Sequence, residues 1–217
     1  MSPEQPLALP PALLEGGRAT AVRLLRAYFG PVTAEGFPGA HFERLGGGGD
    51  RPAVAQVITA EDLVAVGLLD VVVPSRAIVA ILEDRHDEIN ALLAEIPTGV
   101  DLADVDPAEI TREWPAWRLW DLLHELDGMT AVVAGTLIAR KRPRLVPVFD
   151  AKVEDLLMPT EMLWVSLARA LRADDGALQA RLLELREEAG LAKDISALRV
   201  FEVVAWMVAN GYGGGGA

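Results

Sequence analysis

The sequence predicts an all-α fold, a two-lobed helical arrangement built round one helical hairpin. Three observations carry that expectation. Apolar residues recur at helical spacing through most of the 217 residues. Helix-breaking pairs punctuate those stretches, at Gly30-Pro31, Pro97-Thr98-Gly99, Trp114-Pro115 and Gly190. The one β-branched run, Val71 to Val73, is short and reads as a connector between helices rather than a sheet strand.

Composition narrows the chemistry. Half of the chain (51%) is apolar, enough for one domain with a sizeable core or two small lobes. There is no cysteine, which excludes disulfides, Cys-ligated zinc and iron–sulfur clusters. His41, His86 and His124 form no ligand-spaced motif, and no cofactor is expected. No apolar run approaches the length of a membrane span, so a cytoplasmic protein with no membrane partner is expected. The net charge of −12 argues against a general polyanion binder. Only residues 140–152 are strongly positive, at net +4.

Taken in order, residues 1–16 are Pro-rich and expected to be flexible. A helix follows from Arg18, with Ala21, Val22, Leu24, Leu25, Tyr28 and Phe29 on its apolar face. Residues 31–57 form a long connection containing FPGAHFERLGGGGDRP. A phosphate loop needs a preceding strand and a following Lys-Ser/Thr pair, and neither is visible at Gly46–Gly49. An irregular loop anchored by Phe37 and Phe42 is expected instead. Thr59 reads as an N-cap with Glu61 and Asp62 in the first turn, where acids suit the helix dipole. Further helices are expected from Pro74 or Ser75 and over about Asp87 to Ile96. The acidic stretch 98–108 is the best seam between lobes 17–97 and 107–210.

Pro115 suits the first turn of a helix carrying Trp117, Trp120 and His124. Such a stripe usually means core; a base-stacking platform is the alternative. A short helix at Val153–Leu157, helices at 160–171 and 177–188, and a buried last helix capped by Asp194 or Ser196 complete the domain. The tail 211–217 is Gly-rich and expected to be flexible.

The stretch LDGMTAVVAGTLIARKRPRLVPVFDAKV, residues 126–153, is the most suggestive of function. A helix ending near Glu125, a turn holding Gly128, and a helix over Ala131–Arg140 make a hairpin. Gly128, Met129 and Thr130 open the second helix, whose free amides can hold a phosphate. Arg140, Lys141, Arg142 and Arg144 lie at its far end, where complementing that helix's negative pole is the favoured reading over phosphate binding. After Pro147, Asp150 falls where an N-cap belongs, accepting an amide hydrogen bond from Lys152 or Val153. Such bonds favour the ionised carboxylate, and a fixed anion can stabilise a developing oxocarbenium ion.

These residues resemble the core of the helix-hairpin-helix DNA glycosylase superfamily, through Leu126, Gly128, Ala134 and Pro147 with Asp150. The resemblance implies a catalytic role for Asp150 and a duplex-binding role for the hairpin. Asp127 stands where that motif has proline, Thr130 where it has a second glycine, and Val132 where bifunctional members carry the Schiff-base lysine. Lyase chemistry is therefore not expected. GAHFERLGGGGD and RKRPRLVPVFD are, more closely, similar to an uncharacterised bacterial domain family without an established activity. The leading expectation is a diverged, non-catalytic binding protein with a protein or weak nucleic-acid partner. The alternative is a monofunctional N-glycosylase that uses Asp150, with Asp150 and the Gly128 turn on one groove.

Overall fold

The computed structural model describes residues 7–30 and 36–214. Every regular element among them is helical, and none is a strand. The α-helices are α1 (Arg18–Phe29), α2 (Ala60–Gly67), α3 (Ser75–Val79), α4 (His86–Glu95), α5 (Pro115–His124), α6 (Ala131–Lys141), α7 (Ala151–Leu157), α8 (Leu163–Glu188) and α9 (Ala197–Ala209). Val71–Val73 lies in an extended connector, as expected.

The chain divides into two compact units, and the division is not the sequential one expected. One unit comprises Met1–Phe37, Asp101–Ala108 and Phe149–Ala217; the other comprises Pro38–Val100 and Glu109–Val148. The lobes expected at 17–97 and 107–210 are thereby corrected, because the backbone crosses between units four times. Two of those crossings, at 100/101 and 108/109, fall at the acidic stretch.

In the first unit α9 packs against α1, α7 and α8. Its buried residues include Val200, Phe201, Val203 and Val204, so the expected burial of the last helix holds. Ser196 is its cap, accepting from the Arg199 amide at 3.0 Å. Arg199 and Glu202, one turn apart, are buried too and pair at 3.3 Å, while Arg199 also donates to the Tyr28 hydroxyl of α1. Residues 7–16 differ from expectation. Leu7, Ala12 and Leu13 are buried, and the Ala8 amide bonds to the Leu157 carbonyl at 2.7 Å. Apolar burial ties this segment down despite its prolines. Residues 1–6 and 215–217, also expected to be flexible, lie outside the described residues, while 210–213 form a turn. α8 is interrupted at Ala173–Gly176, where Asp174, Asp175 and Gly176 take positive φ. The two helices expected there, over 160–171 and 177–188, are thus present on either side of that break.

The second unit is organised on α6, which packs against α2 on one side and α5 on another; α5 packs in turn on α4. The buried face of α5 is Ala116, Leu119, Leu122 and Leu123. Trp117 and Trp120 are half-buried and His124 is exposed, so the aromatic stripe expected to be core is instead the rim of the helix. The three leucines supply enough apolar surface to face α4 and α6 without the indoles.

The turn between α5 and α6 closes through amide bonds from Leu126 to Leu123 and from Met129 to Leu126. Gly128 has φ +78°, and a Cβ there would sit 3.2 Å from Pro74. Gly128→Val should therefore lower the melting temperature, because a left-handed backbone costs a residue with a Cβ about 1–2 kcal/mol before any clash. An unchanged melting temperature would show that the turn accepts a side chain.

Candidate functional site: a buried charge cluster behind the hairpin

The basic island lies inside the second unit. Arg140, Lys141 and Arg142 are 1%, 0% and 2% exposed. Their cationic heads reach back over the irregular segment 38–57 and the start of α2. Arg140 donates through Nε to Asp62 Oδ1 at 3.2 Å and through its Nη atoms to the carbonyls of Phe42 and Leu45. Lys141 Nζ donates to Asp62 Oδ2 and to the Val54 carbonyl, each at 2.9 Å.

Arg142 engages all five of its N–H donors. Nε goes to the Ile96 carbonyl, Nη1 to those of Ala55 and Lys141, and Nη2 to Leu93 and the Gln56 side chain, at 2.7–2.9 Å. Leu93 and Ile96 are the C-terminal end of α4. The cation therefore meets carbonyls at the negative pole of that helix, sharing that of Leu93 with the Ile96 amide. The sequence expectation of pole complementation is corrected in its partner: it is α4 that Arg142 caps, not the helix it follows.

Asp62 is the anion at the centre. It occupies the third position of α2 and closes a capping box, accepting from the Thr59 amide at 2.9 Å while the Thr59 hydroxyl accepts from the Asp62 amide. The same carboxylate, 1% exposed, faces Arg140 and Lys141. Desolvating these ions costs several kcal/mol each, and it is offset by the carboxylate together with the carbonyl cage.

The four glycines belong to this cluster. Gly46, Gly47 and Gly48 turn the chain with φ of 61°, 84° and 96°. At Gly49 a Cβ would stand 2.5 Å from the Arg140 carbonyl oxygen and 2.8 Å from Asp62 Oδ1. GGGGD and RKRP, far apart in sequence, are two sides of one contact. Phe42, 1% exposed, anchors the loop as expected.

Arg140, Lys141 and Arg142, the candidates for phosphate contact, are buried and direct their cationic heads to internal acceptors. Arg144 is half-buried and lines a small cleft with Asp50, Pro97 and Gly99. At the other end of α6, Thr130 caps the helix by accepting from the Val133 amide at 3.3 Å. Gly128 is exposed and Met129 buried, while exposed Asp127 beside them pairs with Arg76 at 3.2 Å. Asp150 caps α7 as expected, Oδ1 accepting from the Val153 amide at 2.9 Å. It is half-buried and belongs to the first unit, whereas the hairpin and the cluster belong to the second. Asp62 was missed as a centre because its capping role alone accounts for it. The signal available was its helical register with Ala65 and Val66, which places an acid on the buried face. No group of three or more His, Cys, Asp or Glu side chains suited to a metal occurs among the described residues.

Residues 21–209 match the family of unknown function DUF6308, and the chain belongs to that family. A search of curated proteins finds no match, and a search of solved structures finds none. No helix among the described residues is long and apolar enough to cross a membrane.

Two predictions follow from the cluster's charge balance. Asp62→Asn leaves two buried cations facing a neutral amide and should lower stability by about 3–5 kcal/mol in urea unfolding. Thr59→Ala, which removes the cap and the hydroxyl's bond to Asp62 Oδ2 but leaves every charge in place, should cost about 1 kcal/mol. Equal losses would show that the cations do not depend on the carboxylate. Burial lowers the Lys141 pKa against the opposing pull of Asp62, and pushes that of Arg142 down to about 10, below the ordinary arginine range. Between shifted and ordinary values the unfolded chain binds more protons, so the stability contribution grows as pH rises. The stability of the natural chain relative to Lys141→Met should improve as pH rises toward the ordinary lysine value of 10.5. A relative decline over that interval would reverse the assigned shift.

Proposed function

We propose that the chain is a cytoplasmic, non-catalytic binding protein of diverged helix-hairpin-helix type, with a protein rather than a nucleic acid as its partner. The single observation that carries this reading is the internal engagement of Arg140, Lys141 and Arg142. A hairpin protein that grips duplex backbone needs cations facing solvent. Here the most basic segment holds a loop in place. The start of α6 adds to this support. Its Val133 amide already bonds to Thr130, and a phosphate approaching Gly128, Met129 and Thr130 would meet the exposed Asp127 carboxylate. Overall acidity acts in the same direction.

The second reading, a monofunctional N-glycosylase using Asp150, is favoured by one observation. The Val153 amide holds the carboxylate in place at the head of α7, and a stabiliser of an oxocarbenium ion requires a positioned acid. Asn caps helices as well as Asp does, so Asp150→Asn should leave the melting temperature almost unchanged and isolates the charge.

The experiment is base release from duplexes carrying alkylated, oxidised or deaminated bases, with binding to an abasic-site analogue followed against salt. The expected outcome is no release above the uncatalysed rate by either the natural chain or Asp150→Asn, and no preference for the analogue. Release by the natural chain that disappears in Asp150→Asn would replace the first reading with the second.

A further inference from the structure

The rim of α5 carries a row of stacked groups that the fold does not bury. Trp117 and Trp120 lie one turn apart with ring centroids 5.6 Å apart, and the His124 ring stacks on Trp120 at 4.9 Å and 4°. The Trp120 indole N–H donates to the Ala131 carbonyl at 3.1 Å, which fixes the ring against the start of α6. At the other end the guanidinium of Arg112 lies over the Trp117 ring, 4.5 Å from its centroid, and pairs with Asp121 at 3.2 Å. Arg112 comes from the turn before α5 and is 64% exposed, and Asp121 is 45% exposed. An exposed ion pair of this kind is worth little, so exchange of its cation is inexpensive.

An aromatic face and a carboxylate at right reach of one another make a receptor for a planar cation. Its surroundings share the sign. Residues 109–139 carry five acids and two bases, and the exposed acids Glu125 and Asp127 near the C-terminal end of α5 pair with Arg85 and Arg76. With Asp121 and Arg112, three acids in and just beyond α5 thus each hold an arginine, and the complement this face takes is of that class.

We propose that the Trp117–Asp121 face of α5 is a docking site for an arginine-bearing segment of a protein partner, whose guanidinium takes the place now held by Arg112. The proposal deepens the reading of the chain as a protein-binding module and rests on it. Arg112 acts as an internal stand-in that keeps the indole covered while no partner is bound. Trp120 and His124 extend the stacked surface along the partner segment.

The probe is a fluorescein-labelled peptide of alternating glycine and arginine, with a lysine peptide of equal charge and an oligothymidylate as comparisons, followed by anisotropy with the full chain. The arginine peptide should bind several-fold more tightly than the lysine peptide. Trp117→Leu, which leaves net charge unchanged, should weaken it about tenfold, as loss of a partly desolvated cation–π contact implies. Asp121→Asn, an exposed change that keeps the fold independent of the indole, should weaken it as well. Arg112→Gln should tighten binding more than Arg118→Gln, which removes the same charge from α5 itself. Equal binding of both cationic peptides, with no response to Trp117→Leu, would overturn the proposal in favour of bulk electrostatics. Tighter binding of the oligothymidylate would overturn it in favour of a nucleic-acid partner. Neither result bears on base release, so the non-catalytic reading stands or falls separately.

Discussion

The Asp62 carboxylate stands between a guanidinium and an ammonium in a part of the second unit that water does not reach, and the arrangement of residues 38–57 depends on that contact. This segment has little regular structure. Its short turns give the Leu45 and Val54 carbonyls one local amide each, from Gly48 and Val57. Arg140, Lys141 and Arg142 donate to these two and to the Phe42 and Ala55 carbonyls as well. Long side chains with several N–H groups suit this task because one residue can tie several backbone positions, and the fixed fork of arginine does so with little loss of order on folding. Asp62 keeps the assembly from being a bare concentration of positive charge.

That arrangement explains why the most conspicuous sequence motifs carry architecture rather than chemistry. A run of four glycines and a run of three cations each invite a phosphate. Placed against one another, the glycines allow the close approach that the cations require. Fold and function are separable in this way whenever a motif's donors find acceptors inside the chain. The stacked face on α5 is the reverse case: residues that read as core stand at the surface, beside acids.

Much of the helical order was legible in the sequence because it rests on local rules. Pro115 opens α5, Asp150 caps α7, Ser196 caps α9, and Thr59 caps α2, each through a residue within three positions of its acceptor or donor. What was not legible depends on long-range placement. Formal charge says nothing of burial, and lysine and arginine are seldom fully buried, so a basic run reads as surface until its acceptors are seen. Trp117 and Trp120 share a helix with Leu119, Leu122 and Leu123, and periodicity alone does not decide which stripe faces inward. The division into units was hidden for a related reason, since contact between distant segments leaves no trace in composition.

The interleaving of the two units bears on how the chain is made. The second unit is complete once Val148 has been synthesised, whereas the first requires α9, the helix on which α1 packs. At about 5–20 residues per second, α1 leaves the ribosome roughly ten seconds or more before its packing partner exists. Leu24 and Leu25, fully enclosed in the finished protein, lack the α9 part of their cover throughout that interval, although residues 11–17 and then α8 precede it. The early helix thus waits for its last neighbour while the segment that completes the second unit is already made.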